Sequence, residues 1–323
     1  MFFPLCASVS SVVQAFYIMK DTLQRFLFEN IAVRGELVHL DATWQAVLER
    51  HEYPMPVQKV LGELMAAVSL LIATLKFKGQ LIAQIQGDGP VNLLVVEGTT
   101  DKTLRAMANC KSETFVDESL HGIFGDARLV ITLEPDKGER YQGIVALTGE
   151  NLAAALTDYL LRSEQLDTDL WLVADDKQTA GLLIQKLPDT EKVKSSSNIL
   201  DFDSAEENID LDGWNRIQQL SSTIKDEELL ELSAEEIIHR LYHEEDVRLF
   251  EAEHVSFRCS CSRERVTKML HSLGIKEVQS MIEELSKIEV ACEFCNHNYS
   301  FDAVDAEQIF ASDISYEPPK TEQ

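Results

Sequence analysis

The chain has 323 residues, 45% of them apolar, and carries 29 Lys and Arg against 55 Asp and Glu, a formal net charge of −26. This balance argues against nucleic acid and anionic membrane surfaces as partners, because phosphate binding depends on clustered basic charge. The apolar share is large enough to bury a core, and the length suits two or three folded units.

The first eighteen residues, MFFPLCASVSSVVQAFYI, are apolar but lack the basic n-region of a secretory signal, and Pro4 with several serines suits no membrane span. They read as an extension (1–18) ahead of a functional chain that begins near Met19, with targeting as the alternative. The remainder reads as soluble and cytoplasmic, with no later segment long and apolar enough to cross a bilayer. Residues 25–40 suit a strand pair with Arg34 and Gly35 as its irregular point. Pro54 and Pro56 precede a helix predicted over 57–75. Its apolar residues, Val57, Val60, Leu61, Leu64, Val68, Leu71, Ile72 and Leu75, cover a broad face and place it deep in a core, while Lys59 and Glu63 argue against a membrane helix. LIAQIQ and VNLLVV flank Gly87, Asp88, Gly89 and Pro90. That is hairpin turn chemistry, since the spacing and following helix of a phosphate-binding loop are missing. ARLVITLEP and ERYQGIVAL read as strands joined through Asp136, Lys137 and Gly138. A helix is expected over 151–162, and LWLVAD and AGLLIQKL close the unit as strands before Pro188. Strands and helices without regular βαβ alternation predict the α+β class, with a mixed α/β core domain over 19–190.

The texture then changes. DTEKVKSSSN is polar and small, as a linker is, and residues 201–253 hold 17 acidic against 4 basic residues. Helix signals persist within this 191–255 linker. One helix is expected over 214–224. Ser233 and Glu236 form a capping box, with Leu232 able to staple to Ile237 ahead of Ile238, Leu241 and Tyr242. Helices this short and this charged take their stability mainly from docking on something else; a solvated face is the plainer alternative.

The chemistry lies beyond. RCSCSRERVTKML contains Cys259 and Cys261 in a C-x-C, and VACEFCNHNYSF contains Cys292 and Cys295 in a C-x-x-C. Between them Val266, Met269, Leu270 and Leu273 make one helix stripe that stops at Gly274, and Ile275, Val278, Met281, Ile282 and Leu285 make another. EVACEFCNHNYSF reads as a hairpin carrying the second pair, followed by a short helix over 303–311 and a frayed 313–323 tail. Four thiolates from two segments can close a tetrahedral shell, and a unit spanning 256–312 is too small to be secure on its apolar core, so Zn2+ is expected. Permanent disulfides suit an exported protein, haem attachment needs a His directly after the C-x-x-C, and a thioredoxin-like site needs that motif at a helix head. His254 and His297 are near enough to serve as spare ligands but read as surface histidines. Cys6 and Cys110 have no partner spacing. A disulfide within C-x-C closes a small strained ring that is easily reversed, so a redox switch is physically plausible.

With these motifs in hand, the chain resembles the 33 kDa chaperonin family, the redox-regulated heat-shock holdases, over about residues 19–311. The likeness rests on QGDGPVNLLVV, GERYQGIVAL, YLLRSEQL, DEELLELSAEEIIHRLYHEEDVRLF, FRCSCSRERV and EVACEFCNHNYSFDA. It departs in the leading eighteen residues and at Arg105 and Ala106, where relatives often have Arg-Gly. The resemblance implies that the reduced protein holds one Zn2+ on Cys259, Cys261, Cys292 and Cys295 and is inactive. Peroxide with heat, or hypochlorous acid, would form Cys259–Cys261 and Cys292–Cys295 disulfides, expel the metal and unfold the linker and zinc-binding domain. The exposed apolar surface would then hold unfolding client proteins as a homodimer without ATP, and ATP-driven foldase chaperones would receive them later. Trp214, Ile217, Leu220, Ile237, Ile238 and Leu241 are the residues expected to dock the linker and to become client surface. The alternatives are a zinc-stabilised interaction module without a switch and, less in keeping with the hairpin setting of the C-x-x-C, a thiol oxidoreductase.

Overall fold

The computed structural model describes residues 21–112, 114–147, 149, 151–188 and 212–314. The 1–18 extension with Cys6, the DTEKVKSSSN stretch, the first part of the acidic linker and the EPPKTEQ end lie outside the described residues. The chain opens with β1 (Thr22–Phe28), β2 (Val33–Leu40), α1 (Ala42–Leu48), α2 (Met55–Thr74), β3 (Gly79–Gln86), β4 (Val91–Thr99) and β5 (Thr103–Cys110). It continues with α3 (Leu120–Phe124), β6 (Arg128–Pro135), β7 (Tyr141–Ala146), α4 (Leu152–Glu164), β8 (Thr168–Ala174) and β9 (Thr179–Lys186).

Pro54 caps α2 and Pro56 sits in its first turn, where a missing backbone N–H costs nothing. Thereafter α2 runs between two sheets, touching β2, β8 and β9 on one side and β3, β4 and β5 on the other. Among the described residues it is the one helix long and apolar enough to cross a membrane, and its apolar residues are instead buried inside the main core. The first sheet has the order β1-β2-β9-β8 and the second β5-β4-β3-β6-β7, all antiparallel within those runs. Their inner faces and α2 make the principal core. The α+β architecture expected from the sequence is therefore what forms.

Several local expectations shift. Arg34 and Gly35 are not a break but lie inside β2, paired with Leu27 and Phe26. Gly35 is needed because a Cβ there would fall 2.0 Å from the Phe26 ring, which lies across it. Gly87 and Gly89 serve close approach too: a Cβ on either would strike the Phe124 backbone at the end of α3. β5, α1 and α3 carry no clear periodic signal. β5 (TLRAMANC) is poor in β-branched residues and owes its state to seven residue pairs with β4.

The described part of the linker covers the outer face of the first sheet. Its helices α5 (Gly213–Ser221), α6 (Asp226–Glu231) and α7 (Ala234–Tyr242) pack on Phe26, Phe28, Leu37, Leu182 and Ile184. The capping box at the head of α7 forms as the sequence suggests, with Ser233 Oγ accepting from Glu236 N and the Glu236 carboxylate accepting from Ser233 N. Tyr242 sits edge-on to Phe28 at 5.0 Å between centroids and shares a 2.6 Å hydrogen bond with Ser221. The α5 helix ends at Ser221, three residues short of the expected stop. The linker is also not wholly helical. Three short strands follow, β10 (Val247–Leu249) and β11 (Glu253–His254) on β1 and β12 (Ser256–Phe257) parallel to β5. Segments of two or three residues show no alternation in sequence. They are strands because the edges of both sheets supply their hydrogen-bond partners.

Candidate metal centre

From β12 the chain runs straight into the cysteines. Arg258 N still donates to Leu104 O at 2.9 Å, and Cys259 follows. Ser262 caps α8 (Arg263–Leu273), its hydroxyl accepting from Arg265 N, so the C-x-C is held between a sheet edge and a helix start. Gly274, with φ +93°, separates α8 from α9 (Ile275–Leu285). The hairpin β13 (Ile288–Ala291) and β14 (Asn298–Phe301) carries the second pair in its turn, and α10 (Ala303–Ile314) closes the unit. In that turn Cys292 N donates to His297 O and Asn296 N to Cys292 O, with Asn296 in the left-handed region that asparagine tolerates.

All four sulfurs lie within 4.8 Å of one another. Two contacts cross between the segments, Cys259 to Cys292 at 3.7 Å and Cys261 to Cys295 at 3.4 Å. A four-coordinate ion with bonds of about 2.3 Å separates its sulfurs by about 3.8 Å, so the donor set fits a tetrahedral metal. Its chemistry fits as well. Burial pushes the Cys259 thiol up, but the Cys261 backbone N–H, the Cys261 thiol and the Arg105 guanidinium outweigh it and bring it down to about 7. Burial pushes the Cys292 thiol up and the Cys295 thiol up to about 12. The thiolate, not the thiol, is the metal ligand, so a sulfur that ionises near neutrality suits ligation.

A family model described as Hsp33 protein matches residues 21–302. The chain belongs to the Hsp33 family. A 33 kDa chaperonin of Shewanella woodyi is 47% identical over 304 residues, which span 94% of this chain and 99% of that one. A 33 kDa chaperonin of Nitrosococcus oceani is 47% identical over 295 residues, 91% of this chain and 96% of its own. The crystal structure of a 33 kDa chaperonin, a heat shock protein 33 homolog from Thermotoga maritima, superposes with a TM-score of 0.76. It covers 92% of this chain and 100% of its own at 21% identity, a likeness of fold.

Within this Hsp33-family chain the four cysteines singled out in sequence come together, while the two nearby histidines stand apart. His254 lies in β11 with Nδ1 against Asp21 O, and His297 packs its ring on Tyr299 at 4.6 Å; neither joins the sulfur cluster. Of the six linker residues expected to dock, Ile217, Ile237 and Leu241 are buried on the first sheet, and Trp214, Leu220 and Ile238 pack partly buried around them. Two further residues, which no sequence motif marks, contact the sulfurs. The Tyr299 hydroxyl donates to Cys261 Sγ at 3.2 Å, and that bond pushes its own pKa up to about 12. Arg105 Nη1 reaches Cys259 Sγ at 3.8 Å from the second sheet. Tyr299 could have been guessed from its place four residues past Cys295. Arg105 is 154 residues from its sulfur, and no local pattern points to it.

Proposed function

We propose that the chain is a redox-regulated, ATP-independent holdase whose reduced form holds one Zn2+ on Cys259, Cys261, Cys292 and Cys295 and is inactive. The observation that carries this reading is the sulfur cluster at the end of a zipped segment, 247–258, that also anchors the linker helices. Structural zinc contributes on the order of 10–16 kcal/mol in small peptides, more than a module of this size gains from its core. In each oxidation two thiolates give two electrons to one peroxide, the S–S bond forms, and the O–O bond breaks to two hydroxides that take up protons as water. Two such steps, forming Cys259–Cys261 and Cys292–Cys295, leave no thiolate to retain the metal. The sulfur contacts between the segments, 3.4 and 3.7 Å, are metal-type spacings, whereas a disulfide needs about 2.05 Å and a fixed dihedral. Pairing within each motif therefore requires the module to rearrange, which supports unfolding on oxidation.

Once the module and linker loosen, the outer face of the first sheet and the linker's own apolar stripe of Trp214, Ile217, Leu220, Ile237, Ile238 and Leu241 become surface for unfolding clients. Exposed apolar area of this kind binds without nucleotide, and the −26 charge keeps the opened protein soluble. The oxidised form acts as a homodimer in the cytoplasm and later passes its clients to ATP-driven foldases. The test pairs two measurements. A chromogenic chelator follows zinc while light scattering follows a heat-denatured client, with and without peroxide. Zinc release together with newly gained suppression of aggregation is the expected result. Zinc release with no gain in suppression leaves a zinc-stabilised interaction module and overturns the holdase reading.

A further inference from the structure

Arg105 sits where three parts of the molecule meet. It projects from β5, directly opposite Glu97 of β4, and its Nε and Nη2 both donate to Glu97 Oε2 at 2.8 and 2.6 Å. Its guanidinium carbon lies 4.1 Å from the ring centroid of Phe294, one of the two residues between Cys292 and Cys295. Its remaining arm, Nη1, faces Cys259 Sγ. The side chain is only 15% exposed. A guanidinium held in a fixed plane by one carboxylate and covered by one aromatic face is a rigid platform, and this one touches both cysteine motifs from the core side.

Arg105 also continues a zipper. Ser256 N donates to Lys102 O and Arg258 N to Leu104 O, so the linker's exit is laid along β5 up to the residue before Arg105. Upstream, Val255 N donates to Asp21 O and Phe250 N to Arg25 O, which carries the same segment along β1. The far end of this zipper is the end of α7. The near end is the contact of Arg105 with Phe294 and Cys259.

We propose that Arg105 is the positioning residue that couples the metal knuckle to the linker: it fastens Phe294 and Cys259 to the second sheet while the knuckle is folded, and loss of that contact unzips 247–258 and frees α5, α6 and α7. The inference rests on the proposed redox function for its purpose. Its physical content is a mechanical link that exists in the reduced protein whether or not oxidation is ever used. The C-x-x-C loop can offer the Phe294 face only when the turn from Cys292 to His297 is closed. A knuckle opened by oxidation therefore removes the ring from the guanidinium and takes Cys259 away from the end of β5.

The experiment uses the full-length, reduced, zinc-loaded protein and its Arg105→Gln, Arg105→Lys and Phe294→Leu variants. Bound zinc is measured by chelator competition and amide hydrogen exchange is read separately at 247–258 and at the three linker helices. For Arg105→Gln the expected result is full zinc occupancy with exchange at 247–258 and in the linker about tenfold faster, without oxidant. Arg105→Lys keeps the charge but not the planar fork and is expected to recover only part of the protection. Phe294→Leu should accelerate exchange in the same segments by a smaller factor. The double variant Arg105→Gln/Phe294→Leu should be no faster than Arg105→Gln alone, because both residues act through one contact. The proposal is overturned if Arg105→Gln leaves exchange in both segments at the wild-type rate, or if zinc is lost in step with protection, since Arg105 would then merely support the metal site. Failure of the holdase reading would show elsewhere, in wild-type protein whose linker stays protected after peroxide.

Discussion

In the core, α2 alone contributes fourteen buried residues between two sheets, whereas the cysteine module buries seven apolar side chains among its described residues, Leu270, Val278, Ile288, Tyr299, Phe301, Ala306 and Phe310. On α8 and α9, Met269, Leu273, Ile275 and Leu285 remain exposed. The core is thus held by area removed from water, a resource spread over dozens of side chains and insensitive to redox state. The module has little such area and instead brings four sulfur atoms together, and in the proposed reading its stability rests on them. The linker stands between the two. It has no core of its own and borrows the outer face of the first sheet, so its state follows whatever fastens its ends.

The largest test of this contrast removes the metal. Chelation of the reduced protein, or Cys292→Ser, should abolish hydrogen-exchange protection throughout α8, α9 and α10, a loss on the order of 10 kcal/mol or more, while β2, β3 and β9 keep theirs. Equal retention in both regions would show that the module does not depend on its sulfurs. The reverse experiment strikes the core. Leu64 is fully buried in α2, and Leu64→Ala should destabilise the core by about 2–5 kcal/mol in urea while leaving zinc affinity unchanged.

A third test concerns pH. Glu36 lies on the inner face of the first sheet with both carboxylate oxygens buried and unpartnered among the described residues. Burial pushes its pKa up to about 7, against the nearby positive charge of Arg34 and Arg25 and with a further push from Glu253. A pKa raised on folding means that the group's favourable contribution is complete below about pH 4.5 and is lost as pH rises through about 7. Glu36→Gln should therefore match wild type in urea stability near pH 4.5 and exceed it by about 2–3 kcal/mol above pH 7. A difference that does not vary with pH would show that folding leaves the Glu36 pKa unshifted. Glu63 in α2, also pushed up to about 7 by burial, is unchanged in both proteins and cancels. His39, lowered by burial beneath the linker, cancels likewise. The smallest effect belongs to the linker's own local structure. Ser233→Ala removes the cap of α7 and should cost about 1 kcal/mol of linker protection, with core and module untouched.

Much of this was legible in the chain itself. The C-x-C and C-x-x-C spacing declares a four-sulfur site, because tetrahedral ligation by short motifs has few sequence solutions. The apolar face of α2 and the paired runs around Gly87 and Gly89 declare buried helix and hairpin, because side-chain periodicity follows backbone geometry. The Ser233 and Glu236 box and the Pro54 and Pro56 start likewise act within one turn. What the chain could not declare are the features that exist only between distant segments. β5 and β10 to β12 are strands because sheet edges accept them. Gly35 is inside a strand because Phe26 crosses it. Arg105 meets Cys259 and Phe294 because β12 lies parallel to β5. Local signals are written by neighbours along the chain, within reach of steric and capping rules. The laying of 247–258 along β1 and β5 is written by backbone pairing across more than a hundred residues, and only folding brings those partners within hydrogen-bonding distance.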